Sequence, residues 1–239
     1  MGDFSDEEKA AMKKAAGIAA CEFVKNGMKV GLGTGSTVKY TILELGRRIR
    51  EEGLKIQGIP TSEQTEIISI EQGIELVNWA DCSGLDIVID GADEFDSELH
   101  LIKGGGGALL REKIVAESSG SMVVVADATK KVQTLGDFPL PVEVNPYGWE
   151  QTMRRLQNLC PGEVLVRKNA DGSTFLTDNG NPILDACFGS TIDKPREMEA
   201  VIRSIAGVVE VGLFVDIADV IVLAAQNGCE IIRKENSRI

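Results

Sequence analysis

Short apolar runs alternate with helical patterns along the first half of the chain. Apolar runs of about four to eight residues indicate buried strands, whereas apolar residues recurring about every three to four positions indicate amphipathic helices. We predict strands at 28–32, 55–59, 74–77, 85–89 and 122–126. Helices are predicted at 5–25, from Val38, from Thr61 or Ser62 to about Gln72, and at 108–117. This alternation predicts an α/β fold with a mostly parallel sheet.

The pattern changes after Gly136. The segment 138–144 (FPLPVEV) contains two prolines, and it predicts a linker or an edge strand because proline cannot donate a ladder hydrogen bond. Helices are predicted at 149–159 and 194–205, and strands at 164–167, 174–177, 183–186, 208–211, 213–215 and 220–224. We therefore predict a smaller α+β domain over 133–206, inserted into a larger α/β domain formed by 1–132 plus 207–239.

Charge and composition narrow the classes of partner. The chain has 239 residues and a formal net charge of −12. This charge argues against binding to nucleic acid or to an anionic membrane, which require a basic surface. It leaves room for a small phosphorylated ligand, because a few local cations and a helix N-terminus suffice to hold an anion. No apolar run approaches the roughly 20 residues of a membrane span, and residues 1–14 lack the apolar core of a secretory signal.

The five cysteines are widely spaced and form no CxxC pair. This spacing makes a disulfide framework or a zinc site unexpected, and it favours reduced thiols in a cytoplasmic protein. The single histidine, His100, is flanked by leucines and is interpreted as a structural residue.

The stretch from Ile87 to Lys113 contains most of the residues that could take part in catalysis. A buried-strand pattern ends in Asp90, Asp93 and Glu94. Lys103 and four glycines, here called the glycine strip (104–107), follow, and then a helix begins with Arg111-Glu112-Lys113. Ligands of open parallel sheets bind beyond the carboxyl ends of the strands, against helix N-termini. The stretch therefore combines groups for proton transfer with a cradle for an anion.

Several interpretations of these residues stay open. The three acids fit a metal cluster, an acid/base set or a solvated turn, although the nearby Lys103 argues against a divalent metal. The glycine strip fits close approach of a ligand to the backbone or a flexible lid. Glu112 fits a residue pointing back to the site or part of a solvated helix face. Lys130 follows another predicted strand, and Lys13 fits plain surface charge.

A second glycine-rich segment, 31–37 (GLGTGST), lies between a predicted strand and a predicted helix. It lacks the third glycine of the dinucleotide fingerprint and the Lys-Ser/Thr of the Walker motif. Its backbone N–H groups, with the hydroxyls of Ser36 and Thr37, could hold a phosphate. The alternative is a tight turn in which Ser36 is an ordinary N-cap.

Taken together, these motifs resemble the ribose-5-phosphate isomerase type A family. The resemblance is collinear over nearly the whole chain. It rests on the segments 33–37 (GTGST), 90–94 (DGADE), 103–107 with 111–113 (KGGGG, REK), 126–130 (ADATK), 138–144 (FPLPVEV), 177–181 (TDNGN) and 207–214 (GVVEVGLF). Two departures occur, at Gly107, where many members have alanine, and at 215–219, where a more polar stretch is common.

The resemblance implies an activity, a fold and a set of site residues. The activity is the interconversion of D-ribose 5-phosphate and D-ribulose 5-phosphate without cofactor or metal. The fold is a Rossmann-like α/β domain with a smaller α+β domain, usually assembled as a homodimer or homotetramer. Glu112 matches the catalytic base, and Asp90, Asp93 and Lys103 match the other polar catalytic residues. The matching substrate-binding residues are Lys13, Thr34, Gly35, Ser36, Thr37, Asp90, Gly91, Ala92, Asp93, Lys103, Gly104, Gly105, Gly106 and Lys130.

Two rival functions belong to other classes. A sugar-phosphate sensor would keep the phosphate loop and lose the base, yet Glu112, Lys103 and both aspartates are present. An acyl-CoA transferase would use a glutamate as nucleophile and would need a CoA site, for which the sequence offers no support.

Overall fold

The computed structural model describes residues 4–225 and 228–239. The chain divides into two compact units, each built from several segments. The larger unit comprises Met1–Ala92, Arg111–Lys131 and Ile217–Ile239, and the smaller unit comprises Asp93–Leu110 and Val132–Asp216.

The named helices and strands of the described residues follow in chain order. The helices are α1 (Asp6–Ala20), α2 (Val38–Glu52), α3 (Glu63–Glu71), α4 (Leu109–Glu117), α5 (Trp149–Gln157) and α6 (Pro195–Arg203). The strands are β1 (Lys29–Leu32), β2 (Gln57–Pro60), β3 (Glu75–Leu76), β4 (Ile87–Gly91), β5 (Glu94–Phe95), β6 (Leu101–Ile102), β7 (Met122–Asp127), β8 (Leu140–Val144), β9 (Val164–Val166), β10 (Ile183–Ala186), β11 (Val208–Val211), β12 (Leu213–Phe214), β13 (Val220–Ala225) and β14 (Gly228–Arg233).

The larger unit is built on a seven-stranded sheet with the order β14-β13-β7-β4-β1-β2-β3. All neighbouring pairs are parallel except β13 with β14. Strands of parallel sheets are covered on both faces and therefore appear as continuous apolar runs, as in β7, where every residue is buried. The predicted fold class, a Rossmann-like α/β unit with a mostly parallel sheet beside a smaller α+β part, is confirmed.

Helices pack on both faces of this sheet. Val30 and Leu32 of β1 belong to the core that includes residues of α1 and α2. Gly31, between them, faces the opposite side, where a Cβ atom would lie 2.5 Å from Val115 of α4. The glycine thus permits the close approach of α4 to β1.

The smaller unit contains two antiparallel sheets. One has the order β11-β8-β10-β9, and the other has the order β12-β6-β5. The prediction that 138–144 is a linker or an edge strand was wrong, because β8 pairs with β10 on one side and with β11 on the other. The Pro141 carbonyl accepts the Gly212 N–H at 2.8 Å, and the Gly212 carbonyl accepts the N–H of Lys103 at 2.8 Å, so Gly212 needs no donor from Pro141.

Other predictions about elements need correction. Residues 174–177 form only isolated bridges, Lys168 with Thr174 and Leu176 with Pro182, instead of a strand. The strands β5, β6 and β14 were not predicted. The first helix ends at Ala20 and continues as a short 3-10 helix over Cys21–Phe23, so it stops before the predicted Lys25.

The units also differ from the domain boundaries proposed from the sequence. Residues 93–110 and 207–216 were assigned to the larger domain, whereas they pack within the smaller unit. The cause is the pairing of β12 with β6, in which Leu213 lies opposite Ile102. A contact across more than 100 residues leaves no local pattern in the sequence.

The five cysteines, all within the described residues, are free thiols. Cys21 lies beneath α2, where its thiol donates to the carbonyls of Gly17 and Thr41. Burial raises the pKa of the Cys21 thiol to about 12, so this cysteine is a packing residue. Among the helices of the described part of the chain, none is long and apolar enough to cross a membrane.

Candidate active site

The loop after β1 lies against the end of β4 in the larger unit. The two strands are parallel neighbours with Leu32 opposite Ile89, so both lead to the same edge of the sheet. The Asp90 carboxylate accepts the N–H of Thr34 at 3.1 Å and that of Gly91 at 2.7 Å. A Cβ atom on Gly33 would stand 2.2 Å from the Asp90 carboxylate oxygen. Gly33 is therefore required because Asp90 fills the space of a side chain.

A cluster of hydroxyl groups supports this loop from the end of β2. The Thr34 hydroxyl lies 2.7 Å from that of Thr61 and 2.9 Å from that of Ser62. Thr65 donates its hydroxyl to the carbonyl of Gly33 at 2.9 Å. From the sequence, Thr61 and Ser62 were predicted only as the start of a helix. Their position after a strand that neighbours β1 was the available signal for a second role.

The hydroxyl groups of Ser36 and Thr37, in the glycine-rich segment 31–37, do not cap α2. Thr37 is the N-cap of α2, so the alternative with Ser36 as N-cap is wrong, and the Thr37 side chain makes no capping hydrogen bond. Ser36 is exposed and accepts a hydrogen bond from Lys13 Nζ at 3.0 Å. This hydrogen bond places Lys13 of α1 beside the segment 31–37, where a binding residue would have to lie. Gly35 has φ of 120°, a conformation that favours glycine.

Lys130 lies at the same edge of the larger unit. It ends a 3-10 helix that follows β7, and β7 is the parallel neighbour of β4. Asp127 begins this helix and accepts the N–H of Thr129 at 3.0 Å. The segment 31–37, Asp90 and Lys130 therefore lie at the carboxyl ends of the neighbouring strands β1, β4 and β7.

Glu112 and Lys113 are buried residues of α4, within the part of that helix belonging to the larger unit. The exposed fraction is 4% for Glu112 and 2% for Lys113. The interpretation of Arg111-Glu112-Lys113 as a solvated helix face is therefore wrong for these two residues. Glu112 lies in the first turn of α4, where the helix dipole favours a negative charge.

In the smaller unit, Asp93 directly precedes β5 and Lys103 directly follows β6, and these two strands pair with each other. Glu94 lies opposite Ile102, and the Asp93 N–H donates to the Ile102 carbonyl at 2.8 Å. The Lys103 side chain is 2% exposed, and its ammonium lies 5.3 Å from the centroid of the Phe214 ring. The Asp93 carboxylate accepts the N–H of Gly105 at 2.7 Å. The acid thus holds the glycine strip that follows the lysine.

The interpretation of Asp90, Asp93 and Glu94 as a solvated turn is also wrong. Asp90 is completely buried, and Glu94 is 4% exposed. Glu94 accepts the N–H groups of Gly136 and Phe138 within the smaller unit, so it is a structural residue. Over residues 4–225 and 228–239, no group of three or more His, Cys, Asp or Glu side chains is arranged to hold a metal ion.

Comparison with known proteins assigns the chain to a family. A family model described as ribose 5-phosphate isomerase A (phosphoriboisomerase A) matches residues 57–228. A ribose-5-phosphate isomerase A from Ruegeria sp. strain TM1040 is 48% identical, over 98% of this chain and 90% of its own. This chain belongs to the ribose-5-phosphate isomerase A family.

Solved structures of ribose-5-phosphate isomerases have the same fold. The enzyme from Methanocaldococcus jannaschii matches with a TM-score of 0.89 at 40% identity, over 96% of this chain and 100% of its own. A D-ribose-5-phosphate isomerase in complex with phospho-erythronic acid matches with a TM-score of 0.90 at 37% identity, over 93% of this chain and 98% of its own. The resemblance deduced from the motifs is therefore confirmed.

Proposed function

We propose that this chain interconverts D-ribose 5-phosphate and D-ribulose 5-phosphate through an enediolate, with Glu112 as the general base. Membership of the ribose-5-phosphate isomerase A family supports the reaction. The observation that carries the assignment of the base is the burial of the Glu112 carboxylate, 4% exposed, in the first turn of α4. A carboxylate in this position is shielded from water and has no surface role.

The residue types match the chemistry of aldose–ketose isomerisation. A proton moves between C1 and C2, and a single carboxylate can remove and return it. Negative charge develops on the substrate oxygens, and we assign the Lys103 ammonium and N–H groups of the glycine strip to its stabilisation. The binding of Asp93 to the Gly105 N–H supports a role for Asp93 in shaping this strip.

The phosphate group is assigned to the edge of the larger unit. Ser36, Thr37 and the N-terminus of α2 supply hydroxyl and N–H donors, and Lys13 and Lys130 supply positive charge. Thr34, Gly35, Gly91 and Ala92 complete the binding residues at this edge. No cofactor or metal takes part in the proposed reaction. We further propose that the protein is a homodimer or homotetramer. We assign it to the cytoplasm, because the described cysteines are free thiols, as is usual in a reducing compartment.

The first test is isomerisation by the wild-type protein in the presence of EDTA. We expect formation of ketopentose phosphate from ribose 5-phosphate at a rate unchanged by the chelator, because side chains and backbone groups supply all the catalytic charges. The measurement is the appearance of the ketose, with heat-denatured protein as control. A folded protein that binds ribose 5-phosphate without turning it over would favour the sensor. Trapping of a glutamyl thioester with acyl-CoA would favour the transferase.

Asp90 is the proposed proton relay for opening the sugar ring. Asp90→Asn keeps an oxygen that can accept the N–H groups of Thr34 and Gly91, but it removes the carrier of the proton. We expect turnover of cyclic ribose 5-phosphate to fall by about 10²-fold. Exchange of the C1 proton of ribulose 5-phosphate with D₂O should persist, because this ketose is already open.

The control for this variant is Asp81→Asn, which changes an exposed aspartate of the same unit. Full activity of Asp90→Asn on the cyclic sugar would remove the ring-opening role. Equal loss of turnover and of C1 exchange would instead assign Asp90 to proton transfer at carbon or to binding.

A further inference from the structure

The glycine strip in the smaller unit is held in a conformation that its sequence alone does not impose. Gly104 has φ of 103° and Gly107 has φ of 84°, both in the region that favours glycine. A Cβ atom on Gly107 would lie 2.5 Å from Cζ of the Phe175 ring. Because glycines have many accessible conformations, the strip needs partners that select one of them.

Arg167 contacts the strip directly. It follows β9, and its Nη1 atom donates to the carbonyl of Gly104 at 2.8 Å and to that of Gly105 at 3.1 Å. No local pattern marks this arginine, because it lies more than 60 positions from the strip along the chain.

The guanidinium itself is fixed on two further sides. Its Nε donates to the Asp185 carboxylate of β10 at 2.9 Å, and its Nη2 donates to the other oxygen of that carboxylate. The Phe175 ring lies 5.7 Å from the guanidinium carbon. A planar guanidinium bound by a carboxylate at one edge and an aromatic ring at its face is a preorganised donor. Only 15% of the Arg167 side chain is exposed.

These contacts fix two successive peptide planes. In a trans peptide the C=O and the following N–H point in opposite directions, and the described residues contain no cis peptide. The plane between Gly104 and Gly105 is bound at both edges, by Arg167 at the carbonyl and by Asp93 at the N–H. The plane between Gly105 and Gly106 is bound by Arg167 at the carbonyl only.

The N–H of Gly106 is therefore turned away from the guanidinium. Gly106 is exposed, and its N–H makes no hydrogen bond within residues 4–225 and 228–239. A cation bound to the carbonyl of a peptide also polarises the N–H of that peptide, because hydrogen bonds in a chain strengthen one another. The arrangement thus orients one polarised donor.

We infer that Arg167 is a positioning residue that fixes the glycine strip and orients the Gly106 N–H as a donor to the charge developing on the substrate. The inference rests on the proposed isomerase function. It extends the set of functional residues to Arg167 and to Asp185, which anchors it. Neither residue needs to touch the substrate.

The test compares the steady-state kinetics of Arg167→Ala, Arg167→Lys and Asp185→Asn with those of the wild type. We expect Arg167→Ala to lower kcat by about 10²-fold, the loss typical of a misplaced catalytic group, with KM changed only a few-fold. Arg167→Lys keeps the charge but not the planar fork, so kcat should remain low. Asp185→Asn should lower kcat by a smaller factor.

Chemical rescue separates positioning from general stability. Guanidinium or methylguanidinium at sub-denaturing concentration should restore part of kcat in Arg167→Ala and should leave Arg154→Ala unaffected. Arg154 is an exposed arginine of α5 in the same unit and serves as the matched control. A merely structural arginine would lower the melting temperature without such rescue.

Three results would overturn the inference. They are an unchanged kcat in folded Arg167→Ala, a loss of kcat equal to that of Arg154→Ala, and a rise in KM alone. If Arg167→Ala does not fold, a wild-type kcat in folded Arg167→Lys or Asp185→Asn would also overturn the inference. A wild-type protein without isomerase activity would refute the proposed function, which is a distinct outcome.

Discussion

Replacement of Glu112 by glutamine is expected to lower kcat for isomerisation of ribose 5-phosphate by about 10²–10⁴-fold, the range for loss of a general acid–base group. The substitution preserves the size of the side chain and one acceptor oxygen, but it removes the ability to take a proton. Because Glu112 is 4% exposed, a shorter residue would leave a cavity, and a loss of stability would then be mixed with the loss of the base. Glutamine avoids this problem.

The measurement is the rate of ketose formation, together with exchange of the C1 proton of ribulose 5-phosphate in D₂O. Both should fall in parallel, because each requires removal of the carbon-bound proton. Glu117→Gln is the matched control, since Glu117 ends the same helix and is exposed. If folded Glu112→Gln retained its activity, the isomerase would stand and the base would have to be sought at Asp90 or Asp93.

Replacement of Lys103 by methionine is expected to lower kcat by about 10²–10³-fold, the typical cost of one preorganised donor to a developing oxyanion. Methionine keeps an unbranched apolar stem that can pack against Phe214, over which the ammonium now lies at 5.3 Å. The change therefore removes the charge while it preserves most of the packing. KM should change less than kcat, because the charge on the substrate oxygens is largest in the transition state.

Kinetics of Lys103→Met and Lys168→Met, with thermal melts of both, check this expectation. Lys168 is an exposed lysine of the same unit and donates to the Thr174 hydroxyl, so its replacement controls for loss of one positive charge. A folded Lys103→Met protein with wild-type kcat would exclude the ammonium from charge stabilisation. The N–H groups of the glycine strip would then be the remaining donors.

Local patterns predicted much of the larger unit. The apolar runs that form β1, β2, β4 and β7 have the composition of strands buried on both faces. Helical patterns lie between these runs, and strands that alternate with helices form a parallel sheet. Parallel strands bring their carboxyl ends to one edge. The segment 31–37, Asp90 and Lys130 follow three neighbouring parallel strands and lie at this edge.

The smaller unit was harder to predict because its contacts are distant along the chain. β5 and β6 contain two residues each, too few for a periodic pattern, and yet their pairing positions the segments that carry Asp93 and Lys103. β8 contains Pro141, which locally favours an edge strand, and pairing on both sides overrides this preference. The boundary between the units differs from the predicted one for the same reason.

By itself, the sequence determined the fold class of the larger unit, the family and the identity of the residues that carry charge and hydroxyl groups. These features depend on residue type and short-range spacing, which can be read directly from the sequence. Only the tertiary structure decided that Glu112 and Lys113 are buried, that Asp90 occupies the space beside Gly33, and that Arg167 holds the glycine strip. Burial and long-range hydrogen bonds depend on which distant segments pack together, and such packing has no signature within a single stretch of sequence.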